Sequence, residues 1–395
     1  NVIMKLSFYF LLLVPRFLLA QQSAKVDFKS ATSHLAVNFD KQSISGNMTY
    51  EFDVKSAVDT IRIDAIQMDF ANVKINRKEV IFKNSGKELQ LFTGFKKGKN
   101  TLTFDYQATP KQTLYFVGTG EGKQIWTQGQ GKYTSHWLPS FDDENEKVIF
   151  NNSITFANDF EVVSNGILAE KTTKDSLTAW NFKMPHPMSS YLVMMAIGKF
   201  EKQTLITNSG TPLELYFQKE DRAKFEPTYR YSKQIFDFFE KEIGVPYPWK
   251  VYRQIPVKDF LYAGMENTTS TIFAQDFVVD SIGFNDRNYI NVNAHELAHQ
   301  WFGDMVTCGS WNDLWLNEGF ATYLTALAYE FLKSKEDFRF QMRAMRNNIT
   351  QDDNGAVKPS DTSRVNVLFN GRLTYRKGAW LLHMLRHKVG DSMFF

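Results

Sequence analysis

Residues 293–323 read NAHELAHQWFGDMVTCGSWNDLWLNEGFATY. His295 and His299 are four apart, so on a helix they share one face, one turn from each other. Two imidazoles so placed can grip one zinc ion, and Glu296 on the same turn can reach a water bound to it. A catalytic zinc needs a third protein ligand and an open position. Glu318 suits that role if a second helix folds back on the first with its carboxylate toward the metal. In a chain with 7 His, a His-Glu-x-x-His arises by chance in roughly one case in a hundred. His383 and His387 are an internal control. They are also four apart, but Met384 follows the first His where the other pair has Glu296. They read as structural or solvent-facing.

Outward from this stretch the hydrophobic period changes. From Val26 to about Phe200 it is mostly two: Leu35, Val37, Phe39; Ile44, Met48, Tyr50, Phe52, Val54, with Gly46 on the same face; Ile61, Ile63; Leu102, Phe104, Tyr106. Short strands between turn clusters imply antiparallel sheets with one wet face, a β-sandwich or saddle. After about Lys202 the spacing is helical, with helices expected over 229–243, 291–302, 318–332 and 375–388. Gly244 and Pro246 should stop the first. The chain therefore reads as α+β and multidomain, with a β-domain over 21–203 and a mainly helical domain over 204–395.

Composition narrows the function. The 395 residues are 43% hydrophobic and 23% charged, with 22 Gly and 11 Pro, which excludes a disordered or collagen-like chain. A net charge of +3 gives no reason to expect a nucleic-acid partner. The single cysteine, Cys308, excludes an intrachain disulfide framework and a cysteine-based zinc knuckle, and reads as a packing residue. No apolar run reaches the roughly 20 residues of an ordinary membrane helix. Met4-Lys5, the apolar run Leu6–Val14 and a small residue at Ala20 have the form of a secretory signal, so residues 1–20 are expected to be a leader. Arg16 and Leu18 fit cleavage after Ala20 imperfectly. The expected location is periplasmic or extracellular. The acidic run Asp142–Glu146 reads as a solvated loop rather than a calcium site, and His136 as structural.

The zinc stretch resembles the gluzincin aminopeptidases, the aminopeptidase N and leukotriene hydrolase family. HELAHQWFG followed by LWLNEGFATY is close to the family's zinc signature. Further matches follow in the family's order: TQGQ at 127–130, SYLVMMAIGKFE at 190–201, PYPWKVYRQIPVKDFLYAGMEN at 246–267 and YRKGA at 375–379. The resemblance implies a thermolysin-like catalytic domain with one zinc per chain, on His295, His299 and Glu318. It implies a peptide substrate with a free N-terminus. Glu296 is then the general base and Tyr375 the donor to the oxyanion, a contact typically worth about 3–4 kcal/mol. Glu266 and Gln130 would hold the α-amine, and Gln128 would line the pocket for the first side chain. Gly264, Met265 and Asn267 would form the strand that pairs with substrate. Many members have Glu where this chain has Gln130. The usual G-x-M-E-N is AGMEN here, with Ala263 in the first position. Asn267-Thr-Thr is a formal glycosylation sequon, expected to be unmodified inside an active site. Family members continue well past the tyrosine motif, so the expected catalytic domain is incomplete at its C-terminal end.

Three rivals compete with the aminopeptidase reading. An endopeptidase would share the zinc set, but an amine-binding Glu266 penalises internal substrates. A lipid-epoxide hydrolase of the leukotriene branch shares Gln130 but fits a leader poorly. A zinc-bearing scaffold without turnover predicts a broken base or tyrosine, and both Glu296 and Tyr375 are present.

Overall fold

The alternation at Ile44, Met48, Tyr50, Phe52 and Val54 becomes the strand Ser43–Val54, with all five side chains buried. Structural detail comes from a computed structural model that describes residues 22–351, 355–359 and 361–395; the leader expected at 1–20 lies outside them. Ser43–Val54 sits inside an eight-stranded sheet. Its order is Ile167–Lys174, Leu177–Lys183, Ile149–Ala157, Val26–Asn38, Ser43–Val54, Gly98–Ala108, Met68–Ile75, Lys78–Glu79. A smaller sheet of Ile61–Asp64, Glu88–Leu91 and Phe82–Asn84 faces it, and Ile61, Ile63, Leu89 and Leu91 share a core with Tyr50, Phe52 and Phe104. This is the expected sandwich, with one correction. Val26–Asn38 runs parallel to Ile149–Ala157, from Ser30 opposite Ile149 to Ala36 opposite Thr155. The long excursion between these strands allows the parallel entry that a hairpin would forbid.

A four-stranded sheet follows, in the order Glu161–Ser164, Met195–Gly198, Gln124–Thr127, Leu114–Val117. Its Trp126, Val163 and Ala196 pack on Tyr216, Ile255, Val257 and Ile272 of the next sheet, so an apolar layer joins the two halves. Polar straps reinforce it. The buried Arg253 guanidinium pairs with Glu214 at 2.6 Å and donates to the Gly166 carbonyl at 2.6 Å. Asn165 donates to the carbonyls of Leu192 and Thr268.

The acidic run 142–146 is not a solvated loop. Glu144 and Glu146 are each 5% exposed. The Phe28 amide donates to Glu146 at 2.9 Å, and the Asp142 amide donates to Asp64 at 2.7 Å. Burial pushes Glu146, and burial plus the Asp64 charge pushes Asp142, up to about 7. Composition pointed to solvent, but this loop fills the seam between sheets.

The second half carries a mixed five-stranded sheet, in the order Phe200–Ile206, Pro212–Gln218, Tyr252–Val257, Ser270–Ala274, Gly264–Met265. Helices accompany it: α1 (Ser232–Ile243), α2 (Ile290–Ala298), α3 (Trp315–Leu332), α4 (Lys335–Thr350) and α5 (Gly378–Val389), with α2, α4 and α5 packed on α3. Gly244 ends α1 in the left-handed conformation, φ 72°, as a glycine cap does. α2 stops four residues before the expected Phe302. There the amides of Gln300 and Trp301 turn to carbonyls three residues back. The turn leads to Gly303, whose φ of 144° suits glycine. α3 begins three residues before Glu318, so Glu318 sits within its first turn. Tyr375 does not open an α-helix. It lies in a π-helical stretch, Gly371–Lys377, that precedes α5. Among the described residues no helix is long and apolar enough to cross a membrane.

Candidate metal and substrate site

α2 carries His295 near its end, and His299 follows as its C-cap residue. α3 packs against α2 and brings Glu318 between the two rings. Glu318 Oε2 lies 3.1 Å from His295 Nε2 and 3.2 Å from His299 Nε2, and the two Nε2 atoms are 3.1 Å apart. Zinc bonds of about 2.0–2.1 Å to tetrahedral ligands put neighbouring ligand atoms about 3.3 Å apart. The three atoms are therefore spaced as one face of a zinc tetrahedron. Two imidazole nitrogens this close, with an anionic oxygen beside both, form a group that could hold one shared cation. The His299 Nδ1–H donates to the Phe302 carbonyl at 2.9 Å, which turns Nε2 toward Glu318.

The electrostatics are those of a buried charged cluster. Burial alone would raise Glu318, but the His299 charge and hydrogen bonds from both rings hold it down at about 2. Burial would lower His299, yet the charges of Glu318 and Glu266 raise it well above the usual imidazole value. His295 is lowered, chiefly by burial. Glu296 is raised well above the carboxylate range by burial and then by the neighbouring Glu266 charge, and Glu266 is raised by burial. Two buried carboxylates with raised values form a site that favours an incoming cation.

A cavity of about 920 Å³ opens over this cluster. Its walls include Gln130, Gly264, Glu266, His295, Glu296, His299, Glu318 and Tyr375. Tyr375 stacks on His295 with ring centroids 5.8 Å apart, and burial followed by the Glu318 charge raises its hydroxyl well above its usual value. Gly264 is required by close approach: a Cβ there would meet the Glu296 side chain at 2.7 Å. Three expected residues stand behind the wall. Gln128 does not line the cavity; its Nε2 reaches Met265 Sδ at 3.5 Å, and its Oε1 accepts from the Gln130 amide at 2.6 Å. Met265 and Asn267 are fully buried, which also removes the sequon from solvent. Cys308 is buried among Tyr191, Leu192, Trp311 and Leu314, and burial pushes its thiol up to about 12. His136 lies outside the cavity beside Gln112.

Comparison with known proteins follows the same order along the chain. Residues 29–192 match the model of the peptidase M1 N-terminal domain, and residues 228–395 match that of the peptidase family M1 domain. The chain belongs to the peptidase M1 family. It is 32% identical to a glutamyl aminopeptidase of Bos taurus over 272 residues, covering 65% of this chain and 28% of that protein. It is 26% identical to a leucyl aminopeptidase of Saccharolobus solfataricus over 360 residues, covering 87% of this chain and 45% of the relative. A probable aminopeptidase of Sulfurisphaera tokodaii is 27% identical over 379 residues, 91% of this chain and 46% of its own. The chain thus spans less than half the length of these relatives.

In this M1 chain several supporting residues escaped sequence reasoning. Gln300 follows the second histidine and is fully buried. It donates to the Glu266 carbonyl at 3.0 Å and accepts from the Thr269 amide at 2.9 Å, strapping segment 266–269 to α2. Its place inside the zinc motif was the available signal. Tyr191, from the β-half, buries its hydroxyl beside Glu266. Arg376 and Asn348 line the cavity, and no spacing rule pointed to them.

Proposed function

We propose that the protein is a zinc-dependent aminopeptidase that removes residues from free peptide N-termini. The single observation that carries this reading is the convergence of His295, His299 and Glu318 beside two buried carboxylates in one cavity. A zinc ion on those three ligands would acidify water and polarise a carbonyl oxygen. Glu296 takes the proton of the attacking water and returns it to the leaving amine. The Tyr375 hydroxyl donates to the carbonyl oxygen as negative charge develops there. Glu266, with Gln130, accepts hydrogen bonds from the α-ammonium and fixes its distance from the first peptide bond. At the sheet edge, the cavity-lining Ala263 and Gly264 offer their backbone to the substrate as an added strand. The leader pattern at 1–20 supports export to the periplasm or exterior.

The test is hydrolysis of a free-amine amino-acid anilide and of its N-acetyl counterpart, before and after chelation and zinc return. The free amine should be cut only with zinc present, and the acetylated form should resist. Efficient cleavage of the acetylated form would move the protein to the endopeptidases.

A further inference from the structure

We propose that Arg376 forms, with Asn348, a subsite for a carboxylate downstream of the scissile bond, so that short peptides with a nearby carboxylate are preferred substrates. The inference deepens the aminopeptidase reading and rests on it. The cavity has two unlike ends along α2. At the C-terminal end, Gln300 holds the Glu266 backbone, and the Glu266 carboxylate lies within 4.8 Å of the ligand atoms of His299 and Glu296. At the N-terminal end, Asn291 and Val292 line the cavity one turn before His295. A peptide whose amine sits on Glu266 and whose first carbonyl reaches the histidine cluster must run on toward Asn291. Tyr375 stacks on His295, the histidine nearer that downstream end, and Arg376 is the next residue.

The charges along the cavity wall are segregated. Its three carboxylates, Glu266, Glu296 and Glu318, all belong to the amine and metal end. Asn291, Gln341, Asn348, Asn366 and Arg376 also line the cavity and add no acid; Asn348 and Arg376 lie together beside Tyr375. Arg376 Nη1 donates to Asn348 Oδ1 at 3.4 Å and to the Gly371 carbonyl at 3.5 Å, and it forms no salt bridge among the described residues. These are long, weak contacts that leave the guanidinium fork available to an incoming anion. Arginine is suited to the task because its planar fork matches a carboxylate in bidentate fashion. A cavity negative where the amine enters and positive one or two residues downstream orients a short zwitterionic peptide in the productive sense.

Either a C-terminal carboxylate or an acidic side chain could supply the anion. Three peptides separate the sources: Leu-Gly-Gly with a free C-terminus, the same peptide as its amide, and Leu-Glu-Gly amide. Affinities are measured by calorimetry on Glu296→Gln, and kcat and KM on the wild-type protein and on Arg376→Gln. The wild type should favour Leu-Gly-Gly, Leu-Glu-Gly amide or both over Leu-Gly-Gly amide by about tenfold, the effect of one charge-assisted contact. The preference should lie in KM and in the calorimetric affinity. Arg376→Gln should bring the ratio near one, and Arg376→Glu should invert it. Equal affinity for all three peptides, or a ratio that survives Arg376→Gln, overturns the subsite. Failure of the wild type to cut the amide at all, with zinc bound, contradicts the aminopeptidase reading instead.

Discussion

Two histidine pairs in this chain share a spacing and almost share a ring geometry. His295 and His299 have centroids 4.7 Å apart at 86°; His383 and His387 are 4.7 Å apart at 81°. Their surroundings differ. The first pair closes on Glu318, with a second carboxylate one residue after the first histidine. The second pair is flanked by Arg386, and His387 is exposed. Burial, then His387 and Arg386, lowers His383, whereas carboxylates raise His299. Helical spacing aligns two imidazoles, but an anionic partner brought by another helix makes them a candidate site for a cation.

The largest expected effect breaks the comparison directly. His299→Ala should abolish zinc retention and hydrolysis together, while His387→Ala should leave zinc content unchanged when measured by metal analysis after dialysis. Zinc loss from the second variant would show that spacing alone suffices. Tyr375→Phe should keep zinc but lower kcat by about 10²–10³-fold, the usual cost of losing one oxyanion donor. A kcat within twofold of wild type would remove the tyrosine from the chemistry.

Two buried carboxylates extend the contrast. Glu318 has imidazole partners and sits at about 2, while Glu146 has only a backbone donor and sits near 7. The folded state keeps the Glu146 proton that the unfolded chain releases near 4.5. Stability from this group therefore falls as pH rises from about 4.5 to 7, by up to ~3 kcal/mol, and is level above that. Glu146→Gln, which still accepts from Phe28, should flatten that stretch in urea melts; an unchanged slope would contradict the assignment. The smallest expected effect is at the amine end. Glu266→Gln should raise KM for free-amine substrates by roughly 10- to 100-fold, the value of a charge-assisted contact. An unaltered KM would mean that the ammonium binds elsewhere.

The parts of the molecule that were legible in sequence are those governed by local period. Alternation gave Ser43–Val54 its buried face, and the i,i+4 pair with its helical context located α2. Legibility ended where distant segments decide the outcome. The parallel pairing of Val26–Asn38 with Ile149–Ala157 depends on how the chain returns after a long excursion. The acidic loop at 142–146 looked solvated because composition does not register the sheets that close over it. Tyr375 was found by motif, but its π-helical setting depends on tertiary packing. Gln128 matched a pocket position in sequence and braces Met265 from behind in the fold.

The most direct measurement is a paired determination of zinc content and anilide hydrolysis for the wild type and Glu296→Ala. The account predicts one zinc per chain in both, and hydrolysis in the wild type alone, with a loss of at least about 10²–10⁴-fold in the variant. Zinc bound with full hydrolysis in Glu296→Ala would contradict it.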